Sequence, residues 1–547
     1  MQNPASRPLI WTFLFFLMLA VIYSPALYFN YLYHDDASFW VKFNELGYKF
    51  AYFDKYISLC RYSIAFLIAL EHFFVHTVSD LRSLRLLSLL ILSFSAYILS
   101  LQMRRLSFSG IQAFLVIIAM FCLPGFADFI SCGQYSAVLA LTVLLSFWSF
   151  HRIESGHGMT IPVFSYLFAM TIYPPVAMYY WTMLGMYILF TPDRYGPQFK
   201  RNITRSMAAG AASTLIYAAS IFIMHYFYSN KMNNPFYNPY GVTSNWAGKF
   251  QWFITEPLNN ALNLWNIFPE RKASFIVLGF ISLTLLAMAV QRKKILTTCL
   301  WQTALLVFIF FMTFLPNLAA RENAAFYRCL LPMTSLIWLV IVWAVFQWGK
   351  IIPAVLTRWS IIALLSTFAV YAGIMTYHNL LYYRVLPSTV EWNAYRSMAE
   401  DIQSKKVDAI HIILPYPLAI DRYDEFVTLS SDYVFDILHL VYCAFNETGD
   451  TKLHHIPSVY VSYPDDHVLT ELKEIYITKL PDGKWAGRDI NRDGPYTEID
   501  HSTLGDTLDH ELICNQSPKQ IPSKRQNWYI LNLNELFSPA NYRKLMD

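Results

Sequence analysis

The stretch Tyr31-Leu32-Tyr33-His34-Asp35-Asp36-Ala37-Ser38-Phe39-Trp40 sets two adjacent carboxylates at the end of a strongly apolar N-terminal run. Neighbouring acids cannot both ionise freely, so one of the pair has a raised affinity for a proton and is poised to take one as a general base. The bland reading is that the acids mark where the first helix leaves a bilayer. Tyr31, Tyr33, His34, Phe39 and Trp40 surround them as an aromatic collar. Such rings anchor a helix at a membrane interface, and they also stack on sugars. Position alone leaves both uses open.

Cations are the second ingredient. Arg61, Arg82, Arg85, Arg321 and Arg328 fall in the same set of connections as the double acid. A planar guanidinium bonds two phosphate oxygens at once, which makes these five candidates for holding an anionic group. Singly, an interfacial arginine snorkels to lipid headgroups. Arg321 and Arg328, seven residues apart, share one face if their segment is helical. Asp128 is a candidate second acid, for binding an acceptor or a divalent ion, or else a solvated turn.

Asp489 to Asp500 reads DINRDGPYTEID, matching the calcium-loop spacing at Asp489, Asn491, Asp493 and Asp500, with Gly494 at the tight turn. The competing reading is a hairpin turn at Arg492-Asp493-Gly494. Cys60, Cys122, Cys132, Cys299 and Cys329 lie in or beside apolar runs as packing residues, while Cys443 and Cys514 could pair only in an oxidising compartment.

The elements that must position these residues are membrane spans. With 56% hydrophobic and 14% charged residues and a mean hydropathy of +0.35, the 547-residue chain is too apolar for an ordinary soluble protein. Its net charge of +4 comes from short basic clusters between apolar runs, which are topology signals and exclude a nucleic-acid footprint. Spanning runs occur near 9–30, 84–103, 109–127, 134–150, 159–173, 174–192, 206–228, 273–290, 296–316, 329–347 and 355–379, eleven helices in all. Tyr173-Pro174-Pro175 could instead break one long helix.

Arg104/Arg105, Arg152, Arg194–Arg205, Arg292–Lys294 and Lys350/Arg358 fall on alternate connections and orient those to the cytoplasm. The double acid, Asp128, 229–272, 317–328 and everything after about 380 then lie outside. Arg61–Ser79 must in that scheme lie along or dip into the outer interface. After Tyr383 the composition turns polar, with an amphipathic helix before the strand IHIIL. The expected organisation is therefore an all-α polytopic bundle over 1–383, with a first external loop at 31–83, and an extracytoplasmic α/β domain over 384–547.

An outward Asp-Asp after the first helix, an interfacial segment with an arginine, many spans and a soluble C-terminal region together resemble the polytopic C-type glycosyltransferase superfamily. Within it the chain most resembles bacterial O-antigen glucosyltransferases that use polyprenyl-phosphate sugars. The matching residues are His34-Asp35-Asp36, Cys60-Arg61 where the family often has Gly-Arg, and SDLRSLRLLSLL at 79–90, with Gln134-Tyr135, Tyr173 and Arg328 fitting more loosely. The cysteine before Arg61 departs from the pattern.

The resemblance implies a glycosyltransferase of the bacterial cytoplasmic membrane. It would move a hexosyl unit, glucosyl by preference, from a polyprenyl-phosphate sugar to a lipid-linked glycan. Asp35 would be the base, with Asp36 beside it. Arg61, Arg82, Arg85, Arg321 and Arg328 would hold the donor phosphate, and His34, Tyr33 and Asp128 the acceptor. No nucleotide site is expected, and the sequence has no P-loop and no dinucleotide fingerprint. Cofactors reduce to a divalent ion at the site and a structural calcium. A flippase or polymerase of lipid-linked sugars is the rival reading.

Overall fold

The computed structural model describes residues 6–33, 56, 61–227 and 243–266 with short gaps, part of 277–282, 296–403 with short gaps, and, beyond these, seven strands between 409 and 532 together with Val441 and Ala444. The double acid at 35–36, most of the expected span at 273–290 and Cys443 fall outside the described residues.

The long helices are apolar on the face that other helices cover and equally apolar on the face that nothing covers. Leu9, Phe13, Leu17 and Val21 stay exposed on Ser6–Ile22, as do Leu215, Phe222 and Ile223 on Pro197–Phe227. A continuous exposed apolar surface of that kind is stable against lipid. Among the described residues, Val78–Arg105, Gly133–Glu154, Pro197–Ile223, Tyr327–Gly349 and Trp359–Ile402 are long and apolar enough to cross a membrane. Gly110–Phe121 and Pro124–Ser131, bent by 60°, add a sixth if they form one broken span. The core is an all-helical bundle with five or six such helices.

Among the described residues, the runs expected from hydropathy form these long helices together with several shorter or bent ones. Proline supplies the breaks. It sits in the first turn of the short helices Ser24–Tyr28, Pro124–Ser131, Pro174–Ala177, Pro257–Leu262 and Leu315–Ala319. There its missing N–H costs nothing, while continuation from the preceding turn is disfavoured. Hydropathy does not register such breaks, because the residues on either side remain apolar. At Tyr173-Pro174 the chain passes from Thr160–Ile172 through an extended Tyr173 into Pro174–Ala177 and then Tyr179–Phe190, and both flanking helices have their far ends at the Arg105 end, where Ser149 donates to the Pro162 carbonyl and Phe190 packs on Phe108, so the prolines separate two helices and do not break one long one.

Arg61–Ser79 forms the ten-residue helix Tyr62–Glu71, followed by a 3-10 turn at Val78–Asp80. At 1.5 Å per residue that helix is about 15 Å long, half of what a crossing needs. It packs against Thr160–Ile172 and Gly133–Glu154, and Ser63 and Thr171 share a hydroxyl hydrogen bond of 2.7 Å. Thr77 and Asp80 form a capping box ahead of Leu81–Arg105, the backbone N–H of Thr77 donating to the Asp80 carboxylate at 2.8 Å.

Among the described residues, the ion pairs between bundle helices lie at the two ends of the bundle. At one, Arg105 pairs with Glu154 at 2.5 Å and His151 meets Gln102 at 3.1 Å. About 30 Å of helix separates Arg105 from Arg85 at the other end, close to one hydrocarbon thickness.

The last bundle helix, Ala354–Leu380, does not stop where the composition changes. A π-helical turn at Leu381–Val385 carries it directly into Leu386–Gln403. The expected domain boundary after Tyr383 therefore lies inside one continuous helix. Leu386–Gln403 buries Trp392, Tyr395, Met398, Ala399 and Ile402 and packs against the last strand. The strands, β1 Ala409–Ile413, β2 Ser458–Ser462, β3 Val468–Lys479, β4 Trp485–Asp489, β5 Thr497–Glu498, β6 His510–Gln520 and β7 Trp528–Asn532, run in the order β5-β4-β3-β2-β1-β7, with β6 on β3. β1 is parallel to both β2 and β7, and the remaining pairs are antiparallel.

Close approach of two helices near the polar end rests on Gly125. A methyl group there would lie 2.4 Å from the Tyr327 carbonyl oxygen and 2.5 Å from Leu331. Because backbone cannot yield as a side chain can, Gly125→Ala is expected to destabilise the bundle by about 1–3 kcal/mol. A lower melting temperature in detergent, followed by tryptophan fluorescence, checks this against Gly158→Ala, a position with nothing within 4 Å.

Candidate functional site

Four helix ends and one extended segment meet at the end of the bundle opposite Arg105. Asp128 comes from Pro124–Ser131, where Pro124 in the first turn and the bend before it tip the short helix inward and bury all eight residues. Arg328 lies in the first turn of Tyr327–Gly349, and Arg384 on the π turn after Ala354–Leu380. Arg61 precedes Tyr62–Glu71, its N–H donating to the Tyr56 carbonyl at 2.7 Å. Residues 31–33, extended after Ser24–Tyr28, bring Tyr31 and Tyr33.

Asp128 is the hub. One carboxylate oxygen accepts from Arg384 at 2.8 Å and the other faces Arg328 at 3.6 Å. The Arg384 side chain is 1% exposed and the Arg328 side chain 24% exposed. Arg384 also donates to the Ser131 hydroxyl at 2.9 Å and lies 5.2 Å from the centre of the Tyr33 ring. Arg384 is thus fixed on several sides, whereas Arg328 is held more loosely and reaches the surface. Arg61 stacks on the Tyr173 ring at 4.6 Å, and the Tyr173 hydroxyl meets the Cys329 thiol at 3.3 Å, tying Arg61 to the start of the Arg328 helix. The Tyr56 and Tyr135 hydroxyls are 2.6 Å apart. A deeper contact lies beside the cluster: Arg85, fully buried, stacks on Tyr31 at 3.9 Å and donates to the Tyr31 carbonyl at 3.1 Å.

Of the expected site residues, Arg61, Arg328, Asp128 and Tyr33 come together. Arg85 is close by, but its guanidinium serves the chain at Tyr31. Arg82, one turn earlier on the same helix, is partly buried, and among the described residues no contact joins it to Asp128. Arg321 is exposed, and its expected helical alignment with Arg328 is not adopted: the helix begins only at Tyr327, because Arg321 and the described residues up to Phe326 are non-helical.

Asp128 is not a solvated turn but a buried, doubly paired carboxylate. Its two guanidinium partners occupy both carboxylate oxygens. His34, Asp35 and Asp36 lie outside the described residues, one to three residues beyond Tyr33. In the expected calcium loop, Asp489 ends β4, while Asn491, Asp493 and Asp500 lie outside the described residues. The loop joins antiparallel strands β4 and β5, in place of the two helices of a helix-loop-helix calcium site.

Arg384 is the residue that sequence reading passed over. Set between an apolar helix and Pro387, it has the look of a helix-end arginine, and its carboxylate partner is 256 residues away in the chain. Its one local signal is its place at the composition change. Neither a known protein-family model nor a curated protein matches the chain.

Removing one member of a buried ion pair leaves the other charge uncompensated, at about 3–5 kcal/mol. Asp128→Asn should therefore lower the melting temperature more than Arg328→Gln does, since Arg328 is the more exposed partner. Asp128→Asn combined with Arg384→Leu should melt above Asp128→Asn alone, and additive losses would show that the pair is not the unit.

Proposed function

We propose that the chain is an integral-membrane glycosyltransferase that moves a hexosyl unit, glucosyl by resemblance, from a polyprenyl-phosphate sugar to a lipid-linked glycan such as O-antigen. In this reading the site faces the outside of the bacterial cytoplasmic membrane, and the strand-rich region after the last helix is an extracytoplasmic α/β domain. The observation that carries the reading is Tyr33 against Arg384. Tyr33 precedes His34-Asp35-Asp36 in the chain and lies on the arginine cluster, and two residues of chain span at most about 7 Å, which supports one site for both. In this reading the acids and the guanidinium groups share one end of the bundle.

That pairing suits transfer from an anionic leaving group. The acceptor hydroxyl gives its proton to Asp35, or to Asp36 beside it, as its oxygen bonds to the anomeric carbon. The bond from that carbon to the donor phosphate oxygen breaks, and polyprenyl phosphate leaves with the electron pair. Arg328 and Arg61 suit the developing phosphate charge: Arg328 is partly exposed and only loosely engaged, and Arg61 is oriented on Tyr173. The rival from another class, a flippase, calls for charges distributed within the spans. Among the described residues, the bundle pairs Arg105–Glu154, Asp128–Arg328 and Asp128–Arg384 lie at helix ends, which favours one-sided chemistry.

The test is sugar transfer in vesicles supplied with radiolabelled polyprenyl-phosphate glucose and a lipid-linked acceptor. Asp35→Asn or Asp36→Asn is expected to reduce transfer by about 10²–10⁴-fold with donor binding retained. Unchanged transfer in both variants would move the chemistry away from the pair. Translocation of the lipid-linked sugar without any transfer by the native chain would establish the flippase instead.

A further inference from the structure

Arg384 is buried more completely than a residue needs to be if its task is to meet a substrate. Its side chain is 1% exposed, and its guanidinium is divided between the Asp128 carboxylate at 2.8 Å, the Ser131 hydroxyl at 2.9 Å and the face of Tyr33. Tyr33 is itself 2% exposed, and Leu32 and Tyr31 before it are 1% and 0% exposed. Tyr31 is gripped in the same manner by Arg85, through a ring stack at 3.9 Å and a bond to its carbonyl at 3.1 Å. Three consecutive residues of extended chain, without a helix or sheet to hold them, are therefore fixed by two buried arginines.

The backbone around Arg384 is equally specific. A π turn inserts an extra residue into a helix and rotates the side chains that follow, and such turns recur at functional sites. This one lies at Leu381–Val385, between a helix in the bundle core and a helix, Leu386–Gln403, that buries Trp392, Tyr395 and Met398 against other partners. Arg384 is thus anchored through its backbone from both directions.

We infer that Arg384 is a positioning residue: held by Asp128 and Ser131 on the π turn, it fixes Tyr33 and with it the start of the segment that carries Asp35 and Asp36. The holding is a property of the chain itself, and its effect on turnover rests on the transferase reading above. Placement of a reacting group within about 1 Å matters because such a displacement can reduce a rate by about 10²-fold.

Hydrogen exchange of peptides covering residues 29–36, read by mass spectrometry in detergent, tests the holding without reference to any reaction. Arg384→Gln and Tyr33→Leu should each speed exchange in these peptides by about ten-fold or more, with protection of Gly133–Glu154 unchanged. Arg384→Lys, which keeps the charge toward Asp128, should restore most of the protection and covers the case in which Arg384→Gln fails to fold. Unchanged exchange at 29–36 in both Arg384→Gln and Tyr33→Leu overturns the inference. In the transfer assay the same two variants should lose kcat with the donor KM nearly unchanged, and the double variant should be no worse than the weaker single. A raised KM at native kcat would instead make Arg384 a substrate-binding residue. Faster exchange at 29–36 together with full transfer by Asp35→Asn and Asp36→Asn would leave the holding intact and remove the transferase role of the acids.

Discussion

Everything at the polar end of this bundle depends on one carboxylate set among guanidinium groups. A guanidinium in a bundle surrounded by lipid has no water to turn to, so it must find an anion or an aromatic face within the protein. Asp128 meets that demand for Arg384 and, more loosely, for Arg328. Tyr33, Tyr173 and Tyr31 take the faces of Arg384, Arg61 and Arg85. Each contact joins two parts of the chain that are remote in sequence, so the cluster also tells the helix ends where to sit.

The broken helices follow from the same constraint. A straight span carries its polar end past the headgroups, whereas a proline in the first turn of a short helix lets the chain tip back while its backbone groups stay bonded. Pro124 does this for Asp128, and Pro174 leaves Tyr173 extended beneath Arg61. The π turn at Leu381–Val385 achieves a comparable re-aiming without a break, rotating Arg384 toward Asp128 while the helix runs on. Two kinds of local irregularity, proline breaks and a π turn, therefore converge on one set of side chains, and Gly125 permits the close helix contact beside them.

Much of the helical bundle is readable in the sequence, because a run of apolar residues about twenty long has few other uses. The long helices Leu81–Arg105, Gly133–Glu154 and Tyr327–Gly349 overlap the hydropathy runs closely. Glu71 and the charge pattern of the later loops set Arg61–Ser79 apart from the spans in the sequence, and its helix Tyr62–Glu71 is ten residues long. Hydropathy is less informative about breaks, since a proline changes backbone geometry without changing polarity. For the site, Arg61, Arg328 and Asp128 stand out as charges at the ends of apolar runs. The assignment of Arg85 to Tyr31 and the role of Arg384 depend on contacts across 54 and 256 residues of chain, which spacing along the sequence cannot encode.

The account makes one claim above the others: the arginine cluster and the double acid belong to a single site. The most direct measurement is an electron cryomicroscopy structure of the full chain in lipid nanodiscs with polyprenyl phosphate bound. The account predicts the phosphate within hydrogen-bonding distance of Arg61 and Arg328, with the Asp35 and Asp36 carboxylates opening onto the same space. A phosphate seated away from both arginines, or acids directed away from the cluster, would contradict it.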